Sequence, residues 1–181
     1  MNRHRIMREI NDLRHETAKI LTDALGEWYN VRVWASNAHV ADRILDRFST
    51  PEKGMKMLRE SMIELSTYYP SYLLTYALKS KEQGLQELIA YKRIDAVTTC
   101  AFPLTIKIVN DPQYDKPGIV ITMRTVIPDY TASLADRNSL EINYQHPKIV
   151  FEYDGYRRVL SRLTRMITSE ECPPALQVLR N

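Results

Sequence analysis

Cys100 and Arg124 are the two residues whose types and spacing promise chemistry. The stretch "CAFPLTIKIVNDPQYDKPGIVITMRT" runs from one to the other, and its apolar and polar residues alternate twice, as in two strands joined by a loop. A thiol with an ordinary pKa of about 8.5 becomes a usable nucleophile when a nearby cation stabilises its thiolate. An arginine on the neighbouring strand could supply that cation and, through its planar fork, grip a phosphate with two parallel hydrogen bonds. The plain alternatives are a small buried hydrophobe for Cys100 and an ion-pair or interface role for Arg124.

Other chemistries thin out quickly. His4, His15, His39 and His146 have no spacing that sets two of them on one face beside a carboxylate or thiolate, so no metal site is expected. The five glycines form no GxGxxG or GxxxxGK loop and no Gly-x-Ser-x-Gly elbow, which argues against dinucleotide, P-loop and serine-hydrolase chemistry.

The elements that must position Cys100 and Arg124 follow from periodicity. Residues 3 to 25 carry Ile6, Ile10, Leu13, Ile20, Leu21 and Leu25 at helical spacing, ending near Gly26. "WYNVRVWAS" alternates as a strand. Asn37 is expected to cap a short helix through Ile44 and Phe48. Thr50, Pro51 and Glu52 offer a cap, a first-turn proline and a first-turn acid for a helix to about Thr67, with Gly54 a weak point near its start. The segment that follows holds Tyr68, Tyr69, Tyr72, Tyr76 and Tyr91, read as core and subsurface aromatics, with a ring-stacking platform as the sharper alternative.

From Asp95 the period becomes two. "DAVTTCAF", "LTIKIVN", "GIVITMRTVI", "LEINYQ" and "KIVFEY" read as five strands, the second and third forming an antiparallel hairpin over "DPQYDKPG". A last helix is expected from about Tyr156 to Ile167, before a tail in which Pro173 and Pro174 end any helix. The expected fold is α+β, a mainly antiparallel sheet in the C-terminal half packed with N-terminal helices. One domain spans 1–181, with 1–94 mainly helical, 95–168 sheet-rich and 169–181 a tail.

Composition sets the outer bounds. The chain has 181 residues, 44% of them hydrophobic and 26% charged, which is ordinary for a globular domain of a size that needs no disulfide or metal staple. No apolar run approaches the length of a membrane span, and "MNRHRIMREINDLRHE" is charged throughout, so no secretory signal is expected and the location reads as cytoplasmic. Cys100 and Cys172 then read as thiols, with Cys172 exposed beside the double proline. A net charge of +3 does not by itself indicate nucleic-acid binding.

A cysteine, the apolar strand "LTIKIVND", a hairpin, and then "IVITMRT" followed by an aspartate together resemble the central region of the thymidylate synthase and pyrimidine hydroxymethylase family, over about 40 residues. The resemblance implies Cys100 as the nucleophile that attacks C6 of a pyrimidine nucleotide. It implies Arg124 as the holder of the 5′-phosphate, and Asp129, Asp136 and Asn138 as further substrate-binding residues, with Asp136 or Asn138 orienting the base. A reduced folate would be the one-carbon donor. Thr125 stands where the family has serine, and "HPKIVFEYDGY" lacks the spacing of the family's His-x-Tyr element. A relative that keeps the sheet and has lost the reaction would show the same mixture.

The competing expectation is a non-enzymatic interaction protein, an oligomer or a subunit of a larger assembly. In "YRRVLSRLTRM", Val159, Leu163 and Met166 mark one helical face and Arg158, Arg162 and Arg165 another, a basic docking helix for an acidic partner, nucleic-acid phosphates or a membrane surface. A solvated face over a core stripe is the bland version of that helix.

Overall fold

Three amphipathic stretches at the start of the chain wind into helices against one face of a sheet built from distant segments. The computed structural model describes residues 1–71, 73–74, 77–78, 86–93, 99–128, 139–141, 148–153 and 156–160. Helix α1 (Arg3–Leu25) begins where the Asn2 side chain accepts a hydrogen bond from the Arg5 N–H. Its buried stripe is Ile6, Ile10, Leu13, Thr17, Leu21 and Leu25. Thr17 thus takes the place expected of Ile20, and its hydroxyl is satisfied by donating to the Leu13 carbonyl.

Strand β1 (Asn30–Ala35) leads into α2 (Asn37–Arg47). Ser36, not Asn37, is the N-cap residue, so the expected cap lies one position inside the helix. Helix α3 (Pro51–Tyr68) starts as its sequence predicts, with the Thr50 side chain accepting from the Lys53 N–H and proline in the first turn. Gly54 has a packing role. A Cβ there would lie 2.9 Å from the Phe48 ring, so glycine is what lets α3 approach the end of α2. Ion pairs tie the layer together: Arg3 to Asp42 joins α1 to α2, and Arg59 to Glu16 joins α3 to α1.

The sheet continues with β2 (Gln86–Arg93), β3 (Thr99–Val109), β4 (Gly118–Met123), β5 (Ser139–Glu141), β6 (Lys148–Tyr153) and β7 (Tyr156–Leu160). Its order is β1-β4-β3-β2-β5-β6-β7. β1 runs parallel to β4 and β2 parallel to β5, while the other four pairings are antiparallel. The arrangement is the α+β fold the pattern predicts, with most strands in the C-terminal half. Phe102, Leu104, Ile106, Ile119, Ile121 and Met123 bury themselves with Ile6, Leu13, Leu58 and Leu65 of the helices in one core. Tyr69 and Tyr91 are buried, Tyr68 is exposed, and Tyr72 and Tyr76 lie outside the described residues.

Three expectations are corrected. Residues 86–93, inside the part read as mainly helical, form a strand that pairs with both β3 and β5. "DAVTTCAF" and "LTIKIVN" are not two strands, because β3 passes unbroken through Pro103. The helix expected from Tyr156 does not start there. Residues 156–160 form β7, antiparallel to β6 with Tyr153 opposite Tyr156, and the Asp-Gly between those tyrosines is the strongest short hairpin signal a sequence offers. Residues 161–167 of that helix and the 169–181 tail lie outside the described residues, as do positions 142–145 of "LEINYQ".

Candidate functional site

Pro103 shapes the site. The Arg124 N–H donates to the Pro103 carbonyl at 2.9 Å, but proline has no N–H to return the bond, and the regular β3–β4 ladder ends at Met123. The two segments rejoin at Ala101 and Ile127, which exchange bonds of 2.8 and 2.9 Å. Between those points β3 advances two residues and its partner three, so 124–127 bulges. At the base of the bulge Val126 is fully buried and its carbonyl accepts from Arg47 at the end of α2, which fixes where the bulge sits.

A hollow of about 610 Å³ opens there, within the range of small-molecule sites. Its floor is Ile89, Pro103 and Thr122; Arg124 and Thr125 come from the bulge, and Ser36 and His39 from the start of α2. The last two arrive because β1 is parallel to β4, which sets the carboxyl ends of both strands and the following helix N-terminus side by side. Crevices at strand carboxyl ends are where open sheets with parallel strands bind ligands.

The electrostatics favour an anion. Arg124 is exposed. Ser36 makes no side-chain cap to α2, and the first turn of that helix holds no acidic residue, so its amide N–H groups carry their partial positive charge uncompensated by a side chain. The Thr125 Oγ1 and Asn37 Oδ1 atoms are buried without a hydrogen-bond partner among the described residues, and Thr125 is part of the lining. A bound phosphate could meet the guanidinium and the helix N–H groups together.

Cys100 lies elsewhere. It is fully buried in the core with Phe102 and Leu104 on the helix-facing side of β3, whereas Arg124 continues the opposite face beside Pro103, and the thiol does not line the hollow. The expected meeting of thiol and guanidinium over one water-accessible space is therefore corrected: four positions separate Cys100 from Leu104 along β3, and the pleat keeps both on the core side. Asp129, Asp136 and Asn138 lie outside the described residues, as do Arg162, Arg165 and Cys172. Arg158 sits on β7 opposite Phe151, so it belongs to a strand and not to the expected basic helix.

Sequence reasoning missed Ser36, His39 and Thr122 as partners of Arg124. The available signal was the strand-to-helix junction at Ser36, but nothing in the residues states that β1 pairs parallel with a strand 88 positions later. No group of three or more His, Cys, Asp or Glu among the described residues could hold a metal ion, and no described helix is long and apolar enough to cross a membrane. No protein-family model, curated protein or solved structure matches the chain.

Proposed function

We propose that this protein binds a phosphate-bearing ligand of pyrimidine-mononucleotide size in the hollow beside Arg124. The observation that carries this reading is the convergence of Arg124 and the uncapped N-terminus of α2 on one hollow whose floor includes Ile89 and Pro103. The guanidinium and the helix amides take the phosphate, and Ile89 and Pro103 cover a flat ring. The reading keeps the nucleotide and sets aside the one-carbon transfer and its reduced folate. That reaction needs a thiol at the base, and Cys100 is sealed in the core.

Calorimetric titration with uridine and deoxyuridine monophosphates tests it. Arg124→Ala should weaken binding roughly 10- to 100-fold, as expected for a charge-assisted hydrogen bond to phosphate, and Cys100→Ala should leave affinity unchanged. Absence of binding at millimolar ligand, or affinity indifferent to Arg124→Ala, would defeat the proposal.

A further inference from the structure

The sheet face away from the helices carries a pattern of which the hollow uses only Pro103, Thr122 and Arg124. Strand register lines its side chains up in rows. Arg32 of β1 pairs with Val120 of β4, which pairs with Lys107 of β3. Two residues along, Trp34 pairs with Thr122, which pairs with Thr105. In the following row Arg124 adjoins Pro103. Successive rows are about 7 Å apart, a step comparable with one nucleotide of an extended single strand. The row that carries Trp34, with Thr122 and the buried Thr105, thus lies between a row that holds Arg32 and Lys107 on either side of the buried Val120 and one that holds Arg124.

The rings are presented and not packed away. Trp34 is 50% exposed and Tyr114, on the β3–β4 connection, 49%. Each has a guanidinium over one side of its ring, Arg14 at 4.9 Å from the Trp34 centroid and Arg32 at 4.9 Å from that of Tyr114. Arg14 is held by the Val33 carbonyl and the Asn11 side chain, so the Trp34 contact rests on an anchored partner. Lys107 is exposed. Among the described residues Arg32 pairs with Asp111 at 3.9 Å, a loose pairing that a phosphate can displace.

We propose that this face binds single-stranded nucleic acid, with unpaired bases stacking on Trp34 and Tyr114 and phosphates lying along Arg32, Lys107 and Arg124. Stacking on aromatic rings requires bases free of a duplex, and a cationic groove with interleaved rings is the physical design of single-strand binding. A free mononucleotide would have no use for the Arg32–Lys107 row, which lies outside the hollow. The proposal goes beyond the mononucleotide reading and shares only Arg124 with it.

The test is fluorescence anisotropy of the full chain with a labelled oligothymidylate of about 15 nucleotides, beside a duplex of the same length, at about 50 mM salt and above. Expected are preference for the single strand, a loss of about tenfold on Tyr114→Ala and on Trp34→Ala, and a salt slope reduced by about 0.7 on Lys107→Ala. Tyr114 and Lys107 are surface residues, so their variants keep the test open if Trp34→Ala disturbs the fold. No binding at low salt, equal or tighter duplex binding, or indifference to Tyr114→Ala would overturn the proposal. Uridine monophosphate binding that is unchanged in Tyr114→Ala and Lys107→Ala and weakened in Arg124→Ala tells failure of this proposal from failure of the hollow.

Discussion

A wholly buried thiol is a packing group before it is a reagent. Cys100 sits with Phe102 and Leu104 at essentially zero exposure. In a Cys172→Ser protein it should resist an aromatic disulfide reagent until denaturant unfolds the chain; fast modification of the native protein would reopen the nucleophile reading. Cys100→Ser, which buries a hydroxyl in an apolar setting, should cost about 1–3 kcal/mol in a urea titration. Arg124 calls for a different comparison. Arg124→Lys keeps the charge but loses the fork, so its ligand affinity should fall between wild type and Arg124→Ala. The place of Arg124 at the end of a strand was legible in the sequence, because the alternation of "GIVITM" runs directly up to it. The thiol's inaccessibility was not, since alternation says which residues share a face and leaves open which face is covered.

At the scale of elements, the helical layer depends on two local devices. Thr50→Ala removes the acceptor that caps α3 and should cost about 1 kcal/mol. Gly54→Ala adds a methyl group 2.9 Å from the Phe48 ring and should cost about 1–3 kcal/mol, because both helices are pinned by their own core contacts. Acid should loosen the same layer. The Arg3 hydrogen bond holds the Asp42 carboxyl below its ordinary value, and the hydrogen bond from the N-terminal ammonium does the same for Glu52. A carboxyl depressed in the folded state contributes stability above the ordinary carboxylate range and loses it as pH falls through the folded value. The urea midpoint should therefore drop on acidification, and drop less in an Asp42→Asn, Glu52→Gln protein. Both groups are exposed, so the difference should be small.

For the molecule as a whole, the helices α1 and α3, the β3–β4 hairpin and the α+β class were legible because each rests on short-range periodicity, caps or turn chemistry. The strand β7 was not legible because Val159, Leu163 and Met166, with Arg158, Arg162 and Arg165, fit two faces of a helix, whereas the Asp-Gly just before Tyr156 favours a hairpin. The hollow was not legible because it arises from long-range pairing: β1 with β4, and the bulge opposite Pro103. Residues 1–71 alone should accordingly show helical signal without a cooperative melt, since Val33 and the helical stripe would lose the β3 and β4 side chains of the shared core. A sharp transition in that fragment would contradict the single-core description.

The pairing of β1 with β4 also has a consequence in time. A ribosome releases residues 30–35 well before it completes 118–123, and at ordinary elongation rates the wait is on the order of ten seconds. Throughout that interval the stretch that carries Trp34 has no strand to lie against on its inner side. Vectorial synthesis thus leaves residues 30–35 of a nascent chain open to pairing with a wrong neighbour until residues 118–123 emerge.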